Sequence, residues 1–270
     1  MIKPIEYVKP NSSEEAVQAL SEPGSKVLAG GTDLLVNMRN KVIAPEVLVD
    51  IKGIEELKGI RFENDKLFIG STVTINELVE DKRIAQTYPI LKEAGSVLAS
   101  YQVRNRATVG GNLCNASPAA DMAPPLLVLQ AKAVIYGNDG LKEVPLKDFF
   151  VGVKRTILKQ NEILVGLNVP VKDGYGKYYK KSRIKGHDLS IVGVAGWRTD
   201  DYLYFGIGAC AVTPKLIEVD VKGISKQEAV QLSKEKVFNE IDPITDIRAT
   251  AEYRRAMLEV FIERIVNEIM

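Results

Sequence analysis

Apolar and polar positions change their spacing several times along the chain, and each change marks an element. "SSEEAVQALSE" sets Ser12 and Glu15 as a capping box ahead of Ala16, Ala19 and Leu20, which predicts a helix. "KVLAGG", from Lys26, and "VLVDIKGI", from Val47, are apolar runs of strand length. With "MIKPIEYVKP" as a first strand they predict a β-α-β unit. "LKGIRFENDKLFIGS" alternates around Asn64 and Asp65, and "AKAVIYGNDGLKEVPL" around Asn138, Asp139 and Gly140, so both predict hairpins. Between them "TINELVEDKRIAQTYPILKEAGSVLA" is helical, opened by Thr74 with Glu77 three positions on. "EILVGLNVPV" predicts a strand that stops near Pro170.

The last third has another character. "KYYKKSRI", "SIVGVAGWRTDDYLYFGIGACA" and "TAEYRRAMLEVFIERIVNEI" predict a three-stranded sheet plus helices, with a hairpin from Trp197 to Tyr202 around Thr199, Asp200 and Asp201. Met257, Leu258, Phe261, Ile262 and Ile265 recur at helical spacing and predict a core-facing stripe. A boundary is expected near residue 170, where Lys172, Asp173 and Gly174 read as a linker. That gives domains at 1–170, with subdomains of about 1–53 and 54–170, and at 171–270. Strand pairs outnumber clear crossovers, so the class is α+β.

Composition narrows the function. The chain has 270 residues, 46% hydrophobic and 26% charged, enough for a sizeable core. Its 36 basic and 35 acidic residues leave a net charge of +1, which gives no electrostatic case for nucleic acid or an anionic membrane. No apolar run approaches a membrane span, and no signal-peptide pattern opens the chain, so a cytoplasmic location is expected. Cys114 and Cys210 cannot alone build a zinc or iron–sulfur site, and both read as small buried residues. His187 is the sole histidine and reads as loop surface, since nothing near it suggests a triad.

Two stretches could carry chemistry. The first is Ala29, Gly30, Gly31, Thr32 and Asp33, between a strand and a helix start. Glycines allow positive φ and close approach to the main chain, and successive amides at such a turn can cradle an anion. The same pattern also fits an ordinary turn. The second runs "RNRATVGGNLCNASPAAD", with Thr108, Val109, Gly110, Gly111 and Asn112 followed by Asn115 and Asp121. Its small and amide residues suit a loop pressed on a polar, extended ligand, or a long surface loop with proline stops. The Rossmann and Walker glycine patterns are absent.

"KVLAGGTDLL" followed by "QVRNRATVGGNLCNASPAADMAPPLL" closely resembles the FAD-binding medium subunit of the molybdenum hydroxylases, the family of xanthine dehydrogenase and aerobic carbon monoxide dehydrogenase. "YYKKSRIKGHDLSIVGVA" and "ATAEYRRAMLEVFIERI" resemble the family's third signature and closing helix, so the resemblance spans nearly the whole chain. It implies a para-cresol methylhydroxylase-type FAD domain followed by a C-terminal flavoprotein domain. Lys26, Val27, Leu28, Ala29, Gly30, Gly31, Thr32, Asp33 and Leu34 would wrap the FAD diphosphate through backbone amides, with Thr32 and Asp33 as donor and N-cap. Thr108, Val109, Gly110, Gly111, Asn112 and Leu113 would hold it from the other side, with Asn112 and Asn115 as side-chain donors. Asp121 would meet polar groups of the flavin, and Leu164, Lys180 and Leu189 would lie against the cofactor. Valine at Gly30 or Gly111 would then block FAD without unfolding the chain.

The resemblance also implies partners and electron flow. A large subunit would carry molybdopterin, and a small one two 2Fe–2S clusters, in a dimer of heterotrimers. This chain would pass electrons from those clusters through FAD to NAD⁺ or another acceptor, with no catalytic acid or base of its own. The benzoyl-CoA-reductase-like branch, whose inserted loop binds a 4Fe–4S cluster through cysteines, is not matched by a chain with two cysteines. A self-sufficient flavin oxidase or reductase of the same fold, and a non-catalytic assembly protein, are the rival expectations.

Overall fold

A computed structural model describes residues 4–63, 66–171, 173–184 and 188–270. The turn expected at Asn64 and Asp65, Lys172 of the expected linker, and His187 lie outside the described residues. The first layer is the predicted β-α-β unit. It comprises β1 (Glu6–Val8), α1 (Ser13–Leu20), β2 (Ser25–Leu28), α2 (Leu34–Arg39) and β3 (Val47–Asp50), with the strands parallel in the order β1-β3-β2. Ser12 caps α1 through a bond from the Glu15 amide, but the Glu15 carboxylate accepts from Asn11, so the expected reciprocal box is only half formed. The buried face of α1, Ala16, Val17 and Leu20, packs with Val47 and Val49 of β3. By contrast α2 has no buried residue.

A second sheet follows. β4 (Ile60–Glu63) and β5 (Lys66–Gly70) lead into the segment expected as one helix, which is three: α3 (Ile75–Glu80), α4 (Lys82–Thr87) and α5 (Pro89–Ser96). The breaks have local causes. The Asp81 carboxylate turns back to cap the amides of Arg83 and Ile84, and Pro89 supplies the first residue of α5. The Thr74–Glu77 capping box forms as predicted. Next come α6 (Tyr101–Arg104), α7 (Val109–Cys114), α8 (Ala123–Val128), β6 (Lys132–Gly137), β7 (Gly140–Pro145), β8 (Phe150–Gly152), β9 (Arg155–Thr156) and β10 (Ile163–Pro170). The sheet order is β4-β5-β10-β6-β7, all antiparallel, and β8 pairs with β9 alone.

The third sheet is β11 (Tyr175–Lys181), β12 (Val192–Arg198), β13 (Tyr202–Gly208) and β14 (Lys215–Asp220), followed by α9 (Lys226–Glu240) and α10 (Ala251–Ile269). It is four-stranded, not three-stranded as expected. "KLIEVD" alternates buried and exposed side chains and adds the edge strand, a run too short to stand out beside the longer ones. One face, with Leu258, Phe261, Ile262 and Ile265 of α10, forms its own core. The other face, with Tyr178, Ala195, Trp197 and Tyr204, joins the core of α5, α7 and α8. Packing therefore continues across residue 170. Gly206 permits this: a Cβ there would stand 2.2 Å from the Pro124 carbonyl oxygen.

Candidate functional site

The turn between β2 and α2 is built to leave its amides unengaged. β2 ends in register with Asp50, and Gly31 then takes φ 74, the left-handed conformation a glycine adopts cheaply. Among the described residues, the amides of Gly30, Gly31, Thr32, Asp33 and Leu34 donate to no group of the chain, although the carbonyls of Gly31 and Asp33 accept from Leu35 and Asn37. Ala29, Gly30 and Gly31 are half-buried, and Thr32 and Asp33 are exposed. Five successive free donors on an open turn suit a polyanion. Of the neighbouring residues expected to wrap it, Lys26 and Val27 are exposed, Leu28 is buried and Leu34 is half-buried. Asp33 stands at the N-cap position of α2, yet its carboxylate caps no amide there. It accepts instead from Asn37 at 2.7 Å, Asn115 at 3.1 Å and Lys154 at 3.5 Å.

The second glycine pair works differently from the expectation. Gly110 and Gly111 lie inside α7, not in a loop. Their amides are already used: Gly110 donates to the Ser71 carbonyl at 2.9 Å, and Gly111 to the capping Thr108 Oγ1 at 2.9 Å. A Cβ at Gly110 would stand 2.6 Å from the Ser71 carbonyl oxygen, so this glycine serves close packing. Val109 and Leu113 are core residues. What this side offers is side chains. The Asn112 carbonyl oxygen accepts from the Met122 amide, and among the described residues its NH₂ group donates to nothing. Asn115 faces Asp33, and its oxygen accepts from Lys154 at 2.7 Å.

The expectation for valine at Gly30 also changes. A Cβ there would lie 2.0 Å from the Arg106 carbonyl oxygen. The two expected halves of the site thus touch at Gly30, and a side chain there would strike this chain's own backbone before any ligand. At Gly111 the obstacle is Thr108 Oγ1 at 2.8 Å.

Asp121 and Lys180 form a buried ion pair at 2.8 Å, with side chains 7% and 5% exposed. The other Asp121 oxygen accepts from Tyr178 at 3.0 Å and Ser190 at 2.6 Å, while Lys180 also donates to the Val97 carbonyl. Both carboxylate oxygens are engaged within the chain, and Lys180 keeps one further N–H donor. Burial and the neighbouring Asp121 charge hold the Tyr178 phenol well above its ordinary value, so it stays a donor. Leu164 is buried in the core of the second sheet, and Leu189 is exposed. Sequence reasoning missed Lys154, Ser190 and the Val97 carbonyl. The adjacent tyrosines "YY" beside Lys180 were the one signal that pointed toward this network.

Cys210 is buried as expected, but Cys114 is only half-buried, which corrects the expectation of two buried thiols. Desolvation pushes the Cys114 and Cys210 thiols up to about 12. An alkylating thiol reagent at neutral pH should leave both unmodified in the folded chain and label both in denaturant; fast labelling of Cys114 when folded would contradict this account.

Residues 3–172 match the family described as the FAD binding domain in molybdopterin dehydrogenase. The chain belongs to that family and is an FAD-binding oxidoreductase component of the molybdenum hydroxylase type. It is 34% identical to the carbon monoxide dehydrogenase medium chain of Hydrogenophaga pseudoflava, over 99% of this chain and 98% of the relative. It is 31% identical to a xanthine dehydrogenase FAD-binding subunit of Escherichia coli O157:H7, over 97% and 94%. Among solved structures, carbon monoxide dehydrogenase from Hydrogenophaga pseudoflava superposes with a TM-score of 0.94 at 32% identity, covering 100% of this chain and 98% of that one. These matches bear out the α+β medium-subunit fold. No helix among the described residues is long and apolar enough to cross a membrane.

Proposed function

We propose that this chain holds FAD where residues 29–34 meet the end of α7 and relays electrons within a heteromeric molybdenum enzyme. The observation that carries the reading is the row of five unengaged amides from Gly30 to Leu34, with the undonated amide group of Asn112 on α7, the helix whose C-cap Asn115 meets Asp33. That donor set fits a diphosphate: main-chain N–H groups for oxygens of either phosphate, and a side-chain amide from the second half. Lys180, anchored by Asp121 and Val97 with one N–H donor left over, is the cation assigned to the flavin end. FAD supplies chemistry that exchanges electrons singly or in pairs, whereas this chain contributes binding, orientation and a fixed electrostatic surrounding.

Electrons enter from 2Fe–2S clusters of a small subunit and leave to NAD⁺ or another acceptor, and a large subunit carries molybdopterin. The relatives' names as medium chains of dehydrogenases support that arrangement. Expression together with the adjacent genes tests it. Co-elution of this chain with an iron–sulfur protein and a molybdopterin protein is expected. An isolated chain that oxidises an organic substrate unaided would replace this reading with the self-sufficient oxidase.

A further inference from the structure

The turn assigned to the diphosphate also carries an anion. Asp33 sits in the same row whose amides are unengaged, so a dinucleotide settling there approaches a carboxylate. Like charges a few ångströms apart repel strongly unless one is neutralised. The neutralising group comes from a third element, the turn between β8 and β9. Lys154 Nζ lies 3.5 Å from Asp33 Oδ2 and 2.7 Å from Asn115 Oδ1, and Asn115 Nδ2 donates to the same Asp33 oxygen at 3.1 Å. Lys154 is held firmly for a surface lysine. It occupies the turn between β8 and β9 at φ 58, and its amide donates to the Ala116 carbonyl at 2.9 Å. Glycine would adopt that backbone more cheaply, so the lysine side chain has some other use.

We infer that Lys154 is the residue that makes the turn fit for FAD: it neutralises Asp33, with Asn115 setting the pair's geometry, so that the diphosphate can occupy the amides of Gly30 to Leu34. This rests on the FAD reading above and adds a positioning residue from outside the glycine motifs. Lys154 and Asp33 are about half exposed, so solvent screens the pair and the effect is moderate.

The test is titration of the FAD-depleted full chain with FAD, followed by flavin fluorescence. Lys154→Gln should raise the Kd for FAD by roughly three- to fivefold at low salt, and Lys154→Arg should keep it near the starting value. Adding Asp33→Asn to Lys154→Gln should bring the Kd back to within about twofold, because the charge needing compensation is gone. Lys154→Gly should weaken FAD binding while leaving the thermal midpoint of the FAD-free chain unchanged or higher, which a merely structural lysine would not do. Undiminished FAD affinity in Lys154→Gln would overturn the inference, as would a loss that Asp33→Asn fails to restore. A starting chain that takes up no FAD at all would instead defeat the FAD reading itself.

Discussion

Replacing Gly30 with alanine is expected to break the joint between the two halves of the proposed site, destabilising the chain and abolishing FAD retention. The added Cβ would lie 2.0 Å from the Arg106 carbonyl oxygen and 2.8 Å from its carbon. Neither side can give way easily. Ala107 donates to Val103 at 2.8 Å and accepts from Ile75 at 2.9 Å, and Val109 donates to Val73 at 2.9 Å, so the segment under Gly30 is pinned on both flanks. Overpacking of a well-packed site costs ~1–3 kcal/mol, and a clash of backbone with backbone belongs at the upper end. Gly111→Ala meets only a side-chain oxygen, Thr108 Oγ1, and should cost less. Denaturant unfolding beside FAD titration checks both. Gly30→Ala with unchanged stability and affinity would mean the halves do not meet there.

The second large effect is expected at Asp121. Asp121→Asn leaves Lys180 buried without its counter-charge, since the two side chains are only 7% and 5% exposed. Removing one partner of a buried pair costs ~3–5 kcal/mol. The double substitution Asp121→Asn with Lys180→Met should recover much of that stability, because no charge is then left uncompensated. It should not recover FAD affinity, since the lysine assigned to the flavin end is gone. Unfolding curves for the three variants, with FAD titrations of each, separate the structural part from the cofactor part. Equal stability of Asp121→Asn and the unaltered chain would show that the pair is solvated.

Much of this was legible in the sequence because the signals are local. The β-α-β unit, the Thr74 cap, the hairpin at Asn138 to Gly140 and the stripe along α10 follow from spacing and turn chemistry within a few residues. The free amides at "AGGTD" follow from a strand running through a glycine turn. What was not legible depends on distant partners. Gly110 and Gly111 look like a loop, but Thr108 caps them into a helix whose approach to Ser71 needs the missing Cβ. Gly30 reads as a close approach for a ligand, but its missing Cβ is also required by the Arg106 carbonyl. Asp121 looks free for a cofactor, but β11 and the segment leading into β12, far along the chain, bring Tyr178, Lys180 and Ser190 onto it. Lys154 was invisible because nothing in "VGVKRT" marks a left-handed residue, and its partners come from two other elements.

The central claim is that this chain carries FAD on the turn after β2. The most direct measurement is the flavin content of the purified chain, read from its visible spectrum before and after incubation with excess FAD and removal of the unbound cofactor. A yellow chain with stoichiometric FAD is predicted. A colourless chain that takes up none, while its circular dichroism shows it folded, would contradict the account.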